Sequence, residues 1–409
     1  MRSRRQILYV HHGMGIGGAP ISLANLIGSL NPERFCATVM TRASNATTLF
    51  RAAGAEIEIV KRVPVFRHTT AGGYSLIDPR LYYNWAYASV GGHKWQRIFN
   101  QITPDIVHLN SITLLPLCRP AYRSGAKVVV TVRETVRSGN WGLRRQWISR
   151  HLSRYAHAVL HISEYDRRVL NCRSEIVRVI PNWVDFDVFD RAIPAEAVRQ
   201  ELGLSPRQRI AVTFGGATPI KGTLVFLKAA SMLRDRDDYA FVVVGLSPRP
   251  ASSLDDVGSS AKRMLKRCLG IDMKDRIHEF CRKHRLDDSV HFLGKRLDIP
   301  QILAASSVLV FPAIRPHQAR PVLEAGAMAK PVIVSDFECL HEFVGQCENG
   351  IRVPPQNPQA LQRALVTLLD DPNLASRMGE ANYRVALEKH RKERNAPQVV
   401  GVYERLLDL

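Results

Sequence analysis

The chain has 409 residues, 45% of them hydrophobic, and its glycine and proline contents are ordinary for a globular protein, so we expect two domains rather than one. No apolar run reaches the roughly 18 residues of a membrane span, and the short apolar segment after the basic start MRSRRQ is expected to be a first strand rather than a signal peptide. The seven cysteines include no C-x-x-C pair, which argues against a structural zinc and favours a reduced, cytoplasmic chain.

The formal net charge of +20 is concentrated in the first half: residues 1–190 carry +13 and the remainder +7. Such a field attracts phosphates, anionic lipid or nucleic acid. No recognised nucleic-acid motif or stacking platform accompanies the charge, so we expect no nucleic-acid partner, although charge alone leaves that alternative open.

Strand-like apolar runs alternate with helical patterns along the whole chain. They lie at residues 7–11, 37–41, 57–61, 105–110, 128–132, 158–163 and 177–181, and then at 210–215, 241–245, 290–294, 308–312, 332–336 and 350–354. Runs such as VVVTV and FVVVG do not alternate apolar with polar residues, which is typical of strands covered on both faces. The pattern predicts an α/β fold with two doubly wound, Rossmann-like parallel sheets.

A polar, charged stretch near residues 184–205 separates the two halves. We expect a first domain over residues 1–188, a second over 189–390, and a last helix in 391–409 that packs back on the first domain. In two facing domains of this kind, ligands bind beyond the carboxyl ends of the strands.

The first motif follows the first strand, in HHGMGIGGAPISLANLI. Its glycines, Gly15, Gly17 and Gly18 among them, let the backbone approach a ligand, and the helix that follows favours an anion at its start. No acidic residue closes the next strand at Thr41, so the motif is not a dinucleotide fingerprint. The alternative is a tight turn without a ligand.

Two further motifs belong to the second half. In FGGATPIKGTLVFLKAASML, Lys221 stands before a helix, where an ammonium group neutralises a diphosphate; the alternative is an ordinary solvated lysine. In RPVLEAGAMAKPVIVSD, Pro321 opens a short helix with Glu324 in its first turn. That carboxylate can accept both ribose hydroxyls, whereas the alternative is that it only stabilises the helix dipole.

Together these segments resemble a family 4 glycosyltransferase with the GT-B fold. The likeness covers nearly the whole chain, through GGAP, DIVHLNS, AVLHISEY, VIPNWVDFDVF, VHFLGKRLDIPQILAASSVLVFPA, RPVLEAGAMAKPVIVSD and ENGIRVPP. The resemblance implies a retaining, hexosyltransferase-type enzyme that uses a nucleotide-diphosphate sugar and needs no metal or other cofactor. It places the donor mainly on the second domain and the acceptor, a lipid-linked or cell-envelope glycan, mainly on the first.

Carried over position by position, Lys221 matches the family's diphosphate-binding lysine and Glu324 its ribose-binding glutamate. Pro321 and Val322 fall where backbone amides approach the phosphates, and Gly17 belongs to the first-domain glycine loop. The expected donor-site residues are Gly215, Gly216, Lys221, His317, Gln318, Ala319, Arg320, Pro321, Val322 and Glu324.

Two departures affect the donor side. The first glutamate of the family's signature pair is replaced by Pro316, so its contact near the transferred sugar is missing or supplied by His317 or Gln318. The arginine that usually accompanies the lysine falls at Gly216, which removes a cation. These changes leave open a catalytically degenerate, nucleotide-binding partner subunit, and an epimerase acting on a nucleotide sugar is a further alternative.

A third departure lies after the fifth strand, where the family often has a histidine and this chain has Arg133 and Glu134. Arg133 is a candidate for phosphate binding and Glu134 for orienting an acceptor hydroxyl; the alternative is a local ion pair of little consequence. His108 ends a neighbouring strand and is either catalytic or a hydrogen-bonded structural residue.

Residues 133–157 contain six arginines and one glutamate. Helical spacing puts Trp141, Ile148, Leu152 and Tyr155 on an inward face, with Leu143, Trp147, Arg150 and Arg154 nearly opposite. We expect Trp147, Arg150 and Arg154 to contact an anionic membrane surface, which makes the chain peripheral on the inner membrane face. The alternative is a solvated basic helix with Trp147 partly buried.

Overall fold

The structure is a computed structural model that describes residues 4–13, 15–70, 78, 79, 82–84, 86, 91–137, 139–248 and 273–408. Met14 of the predicted glycine loop and Cys268, one of the seven cysteines, lie outside these residues. The chain divides into one unit of residues 1–185 and 389–409 and a second of residues 186–388.

The described residues contain thirteen strands, seven in one sheet and six in the other. They are β1 (Arg5–Val10), β2 (Phe35–Thr41), β3 (Glu56–Ile59), β4 (Ile106–Leu109), β5 (Lys127–Val132), β6 (Ala158–His161), β7 (Val177–Val179), β8 (Arg209–Thr213), β9 (Tyr239–Val244), β10 (Val290–Leu293), β11 (Val308–Phe311), β12 (Val332–Ser335) and β13 (Gly350–Val353). Each overlaps one of the predicted apolar runs, and the ends differ by no more than two residues.

The helices of the described residues lie between and after these strands. They are α1 (Gly18–Ile27), α2 (Ala46–Ala52), α3 (Gly92–Ile102), α4 (Cys118–Arg123), α5 (Leu143–Tyr155), α6 (Glu164–Leu170), α7 (Glu196–Glu201), α8 (Thr223–Ser231), α9 (Met273–His284), α10 (Ile299–Ala305), α11 (Arg320–Ala327), α12 (Glu338–His341), α13 (Pro358–Asp370), α14 (Pro372–Lys389) and α15 (Lys392–Leu406).

The first sheet has the strand order β3-β2-β1-β4-β5-β6-β7, and every neighbouring pair is parallel. Its two faces carry separate cores. Leu8 and Val107 belong to one core, whereas Ile7 and Ile106 belong to the other. Successive residues therefore point to opposite faces and both are buried, which is why these strands read as unbroken apolar runs.

Helix α15 completes the second of these cores. Val399, Val402 and Tyr403 are buried there together with Leu23 of α1 and Phe35 of β2. The last helix of the chain thus packs on the first sheet.

The second sheet has the order β10-β9-β8-β11-β12-β13, again all parallel. Its main core joins Phe241 and Val310 to Phe226 of α8 and Leu365 of α13. Both sheets confirm the predicted α/β fold with two doubly wound parallel sheets.

The strand order reverses between β1 and β4 in the first sheet and between β8 and β11 in the second. Loops that leave neighbouring strands in opposite directions separate at such a point and leave a crevice at the carboxyl edge of the sheet. The glycine loop follows β1, the Lys221 loop follows β8, and the segment of residues 312–319 follows β11, so the predicted motifs lie at these two reversals.

Candidate active site

In the second unit, the Lys221 loop is shaped by two glycines with left-handed backbone. Gly216 has φ +53°, and a Cβ there would lie 2.9 Å from the carbonyl oxygen of Gly245. Gly222 has φ +74°, and its Cβ would lie 1.7 Å from the carbonyl oxygen of Pro312. The backbones approach too closely for any side chain. The absence of the family's arginine at position 216 is therefore built into this loop's packing.

The Lys221 loop is tied directly to the segment after β11. The amide of Ile314 donates to the carbonyl of Ile220 at 2.9 Å, beside the contact between Gly222 and Pro312. The lysine itself is half-buried and donates from Nζ to the carbonyl of Phe214 at 3.2 Å. The two loops are therefore joined by a backbone hydrogen bond, and a second hydrogen bond fixes the side chain of Lys221.

Glu324 is 6% exposed and lies in the second turn of α11. Its Oε1 accepts a hydrogen bond from Nε of Arg320 at 2.7 Å, and both side chains are buried. Burial raises the pKa of Glu324, while the Arg320 guanidinium and the Lys221 charge act in the opposite direction. The sequence placed Glu324 in the first turn; because it lies beyond that turn, the helix dipole does not account for it.

His317 joins the same cluster. Its ring stacks on Phe311, with centroids 6.0 Å apart and planes inclined by 15°. Burial and then the charge of Lys221 lower the pKa of His317 to about 4, so the imidazole is neutral at pH 7. Burial lowers the pKa of Lys221 itself, and Glu324 partly offsets that effect. The structure therefore brings Lys221, His317, Arg320 and Glu324 together.

The remaining donor-side residues occupy less specific positions. Gly215 and Ala319 are buried, whereas Gln318 is half-buried just before α11. The expected phosphate contacts through Pro321 and Val322 need correction: proline has no N–H, and the amide of Val322 already donates to the carbonyl of Ala319 at 3.0 Å.

Small residues under α11 explain why the helix sits so deep. A Cβ on Gly326 would lie 3.1 Å from the Cβ of Ala386 and from the carbonyl oxygen of Asn382 on α14. The small residue at position 326 therefore allows α11 to pack closely on α14.

In the first unit, polar residues at the ends of β1, β4 and β5 form one network. Nε of Arg133 donates to Asn110 at 2.9 Å, and its Nη1 donates to Asn182 at 2.8 Å. The side-chain amide of Asn110 also lies 3.2 Å from Nδ1 of His11 and donates to the carbonyl of Ala19 at 3.3 Å. The guanidinium of Arg133 is therefore held in place by the side-chain oxygens of two asparagines.

Glu134 lies beside that network. The hydroxyl of Ser111 donates to its Oε1 at 2.8 Å, whereas Oε2 is buried and bonded to no partner among the described residues. Burial raises the pKa of Glu134 to about 7, although the hydrogen bond from Ser111 and the charge of Arg133 lower it. A buried acceptor atom without a donor is uncommon in native structures and suggests a ligand's hydroxyl.

His12 and Thr113 border the same place, since their side chains lie 3.2 Å apart and Thr113 also contacts Ser111 at 2.8 Å. Sequence reasoning did not select His12, Asn110, Ser111, Thr113 or Asn182. The available signal was their position: all but Asn182 follow the carboxyl ends of β1 and β4, where a parallel sheet binds ligands.

For His108, the structure favours the structural alternative. The ring is fully buried; its Nδ1 lies 2.5 Å from the hydroxyl of Tyr403 and its Nε2 lies 2.6 Å from that of Thr131. Burial lowers the pKa of His108 to about 3, helped by the charge of Arg133. Both nitrogens are thus occupied inside the core, away from any reacting group.

The glycine loop is exposed. Gly15, Gly17 and Gly18 all lie at the surface, and a Cβ on Gly15 or Gly17 would meet nothing within 4 Å. The structure neither packs these residues against other groups nor brings a described side chain onto them.

Helix α5 differs from its prediction at one residue. Ile148 and Leu152 are buried, but Trp141 is fully exposed because the helix begins only at Leu143 and Trp141 lies before it with φ +54°. Trp147 is 48% exposed and packs edge-to-face on Phe66 at 5.8 Å.

Arg150 and Arg154 are exposed on α5, and Arg173 joins them in a shallow polar depression with Ser149 and Ser153. None of the three guanidinium groups is within 4 Å of a carboxylate in the part of the chain that the structure describes. We call Trp147, Arg150, Arg154 and Arg173 the basic surface.

Among the described residues, no helix has the length and apolar character needed to cross a membrane. The same residues contain no group of three or more histidine, cysteine, aspartate or glutamate side chains that could hold a metal ion.

Comparisons with known proteins agree with this architecture. The model of Glycosyltransferase Family 4 matches residues 16–188, and that of Glycosyl transferases group 1 matches residues 194–385. The crystal structure of HepE from Anabaena with UDP and glucose superposes with a TM-score of 0.76 at 18% identity, covering 98% of this chain and 100% of HepE.

The curated relatives match only part of this chain and only part of their own length. Alpha-D-kanosaminyltransferase from Streptomyces kanamyceticus is 23% identical over 64% of this chain and 64% of its own. An Escherichia coli UDP-Gal:alpha-D-GlcNAc-diphosphoundecaprenol alpha-1,3-galactosyltransferase is 26% identical over 65% of this chain and 67% of its own. The chain spans less than two thirds of the length of the first curated relatives that it matches. With the two family models covering both units and a GT-B structure matching throughout, the chain belongs to the family 4 glycosyltransferases.

Proposed function

We propose that this protein transfers a sugar from a nucleotide-diphosphate donor, with retention of configuration, to a lipid-linked or cell-envelope glycan. The observation that carries the proposal is the cluster of Lys221, His317, Arg320 and Glu324 at the strand reversal of the second unit. The ammonium group of Lys221 suits the diphosphate of such a ligand. The neutral imidazole of His317 suits its sugar, and the buried carboxylate of Glu324 suits its ribose. HepE, which shares the fold, was crystallised with UDP-glucose, and this supports the choice of ligand.

The roles in the donor site follow from charge. The ammonium group of Lys221 stabilises the negative charge that grows on the diphosphate as the bond to the sugar breaks. Glu324 accepts the ribose hydroxyls through its carboxylate, which Arg320 orients. His317 stands near the lysine and offers a neutral nitrogen to the sugar, at the place where Pro316 has replaced the family's first glutamate.

The roles in the acceptor site belong to the first unit. Glu134 orients the acceptor hydroxyl by accepting its hydrogen bond at Oε2, the atom that is otherwise without a donor. Arg133 supplies positive charge for a phosphate group of a bound substrate beside Glu134. The Escherichia coli relative is named for a diphosphoundecaprenol-linked acceptor, which supports a lipid-linked acceptor here.

A thermal-shift screen with common nucleoside diphosphates and their sugar conjugates tests the donor site, because a ligand of the native state raises the melting temperature. Lys221→Ala should lower turnover about a hundredfold. Lys228→Ala removes an exposed lysine from α8, the helix that follows Lys221, and is the matched control.

Glu324 is tested by Glu324→Gln rather than Glu324→Ala, because glutamine keeps an oxygen that can accept the hydrogen bond from the buried Arg320, whereas alanine removes it. Losing a hydrogen bond to a charged group should weaken nucleotide binding about tenfold to a hundredfold. If neither Lys221→Ala nor Glu324→Gln changes binding or turnover, the site assignment is wrong.

A degenerate partner subunit remains the second candidate, and Gly216 favours it because the loop leaves no room for the second cation. Transfer and donor-hydrolysis assays separate the two candidates. Nucleotide binding without turnover on a panel of lipid-linked acceptors would support the partner subunit.

We also propose that the basic surface binds an anionic membrane. Its three arginines have no carboxylate partner among the described residues, and Trp147 is half exposed beside them. Arg150→Glu combined with Arg154→Glu should reduce binding to vesicles that contain anionic lipid. The matched control is Arg363→Glu combined with Arg377→Glu, which makes the same change in net charge at exposed helix positions of the second unit. Equal loss in both double variants would exclude the basic surface as the contact.

A further inference from the structure

The first unit contains a cavity that shares only Trp147 with the sites described above. It lies between α3, α4 and α5, has a volume of about 250 Å³ and is open to solvent. Its apolar wall consists of Phe66, Leu115, Pro116, Pro120 and Trp147. The volume is slightly below the usual range of small-molecule sites, about 300–1,000 Å³, so it suits one part of a larger ligand.

The wall of the cavity is held in place. The amide of Phe66 donates to the carbonyl of Thr113 at 2.7 Å, and the Phe66 ring packs edge-to-face on Trp147. Leu115 is 1% exposed. An apolar chain entering the cavity would therefore meet a preformed surface, and Trp147 would leave water on binding.

The mouth of the cavity is basic. Arg119 and Arg123 lie one turn apart on α4, are exposed, and pair with no carboxylate among the described residues. Arg119 and Arg123 line the cavity together with His151 of α5. Burial lowers the pKa of His151 to about 4, so its imidazole adds no charge at pH 7. Two guanidinium groups beside an apolar cavity complement a phosphate attached to a hydrocarbon chain.

One short turn connects this cavity to the proposed acceptor site. The 3-10 turn Ile112–Leu117 begins after Ser111, which bonds Glu134, and ends with Leu115 and Pro116 in the cavity wall. Four residues of a 3-10 turn rise about 8 Å. A ligand whose reacting hydroxyl reaches Glu134 can therefore extend its other end towards the cavity.

We propose that the cavity holds the hydrocarbon chain of an anionic lipid acceptor whose phosphate binds Arg119 and Arg123. The proposal rests on the proposed glycosyltransferase function and deepens it, because it names the acceptor class and places its chain. The ligand of the cavity is a single lipid molecule. Its binding is distinct from the contact that the basic surface makes with a bilayer.

The probe is octyl phosphate, used below its micelle concentration in calorimetric titrations of the full chain. Inorganic phosphate tests the headgroup alone and octyl glucoside tests the chain alone; both should bind at least about tenfold more weakly. Affinity should rise about fourfold for each methylene added between butyl and octyl phosphate, as expected when each group leaves water. Equal affinity for octyl phosphate and inorganic phosphate would overturn the proposal.

A matched pair of variants tests the location. Gln96→Trp fills the cavity from α3 and should weaken octyl phosphate at least about tenfold. Asn100→Trp places the same side chain on an exposed position one turn away and should leave the affinity unchanged. Arg119→Ser combined with Arg123→Ser should abolish the preference for octyl phosphate over octyl glucoside, whereas the charge reversals at Arg150 and Arg154 should preserve it.

The outcomes separate this inference from the proposed function. If wild type and Gln96→Trp both show the nucleotide thermal shift but bind octyl phosphate equally, or not at all, the cavity assignment is wrong and the donor site stands. If no nucleotide binds the wild type, the proposed function fails whatever the lipid result. Loss of octyl phosphate binding after the reversals at Arg150 and Arg154 would place the phosphate on the basic surface and overturn the proposal.

Discussion

The contact between Gly222 and Pro312 predicts a strong effect from the addition of one methyl group. Gly222→Ala puts a Cβ in left-handed backbone, which costs about 1–2 kcal/mol. The same atom would lie 1.7 Å from the carbonyl oxygen of Pro312, so one loop must move. Overpacking of this kind costs about 1–3 kcal/mol more.

Gly203→Ala is the matched control. Gly203 also has left-handed backbone, with φ +65°, but its Cβ would meet nothing within 4 Å. Only the conformational cost of about 1–2 kcal/mol applies there. The difference between the two variants, about 1–3 kcal/mol, should appear in thermal unfolding as an extra loss of about 2–12 °C for a unit of this size.

The two variants should also differ in ligand binding. Movement of the loop displaces Lys221, the neighbour of Gly222, so Gly222→Ala should weaken nucleoside diphosphate binding at least about tenfold. Gly203→Ala should retain wild-type binding. If Gly222→Ala has the same melting temperature as Gly203→Ala and binds the nucleotide with wild-type affinity, the two loops are not held together as the structure indicates.

Three further predictions follow from buried or exposed groups. Because the folded-state pKa of Glu134 is raised to about 7, the folded state keeps a proton that the unfolded state has lost above its ordinary pKa, so the contribution of Glu134 to stability should fall as pH rises from about 4.5 to about 7, by at most about 1.4 kcal/mol per pH unit. Buried histidines such as His108 and His317, whose pKa is lowered, act in the opposite direction, so the measurement is the difference in urea unfolding between wild type and Glu134→Gln, which should change across this range by that amount. Tyr403→Phe removes the hydroxyl that contacts both His108 and Tyr9 and should lower the free energy of unfolding by about 1–3 kcal/mol; an unchanged melting temperature would contradict the network. Trp141→Ser should change stability by less than about 0.5 kcal/mol, because the side chain is fully exposed, and a larger loss in thermal unfolding would show that Trp141 packs.

The fold was predictable because a strand buried on both faces leaves a plain trace in the sequence. The runs around Val129 and Val242 consist almost entirely of apolar residues, and each forms a strand that is paired on both sides. Lys221 and Glu324 were selected from a spacing typical of one family, and their segments follow the neighbouring strands β8 and β11. In the structure each affects the pKa of the other through its charge.

What the sequence did not reveal depends on backbone geometry. The position of Trp141 follows from Gly142, whose left-handed backbone starts α5 one turn later than the apolar spacing suggests. The amide of Val322 was unavailable because of a local turn with Ala319, which no periodicity reports. Likewise, the pairing of Ser111 with Glu134 joins loops 23 residues apart along the chain and depends on strand order alone.

The docking of α15 on the first sheet has a consequence for how the protein is made. Tyr403 is buried in a core whose members outside α15 all lie within the first 185 residues. A ribosome adding about 5–20 residues per second needs about 10–40 s to make residues 186–388 before that helix emerges. Until then, the hydroxyl of Tyr9 and the imidazole of His108 have no Tyr403 to bond, and the apolar side of β1 is open. The first unit to leave the ribosome is thus the last to complete its core, and during this interval we expect it to need protection from association.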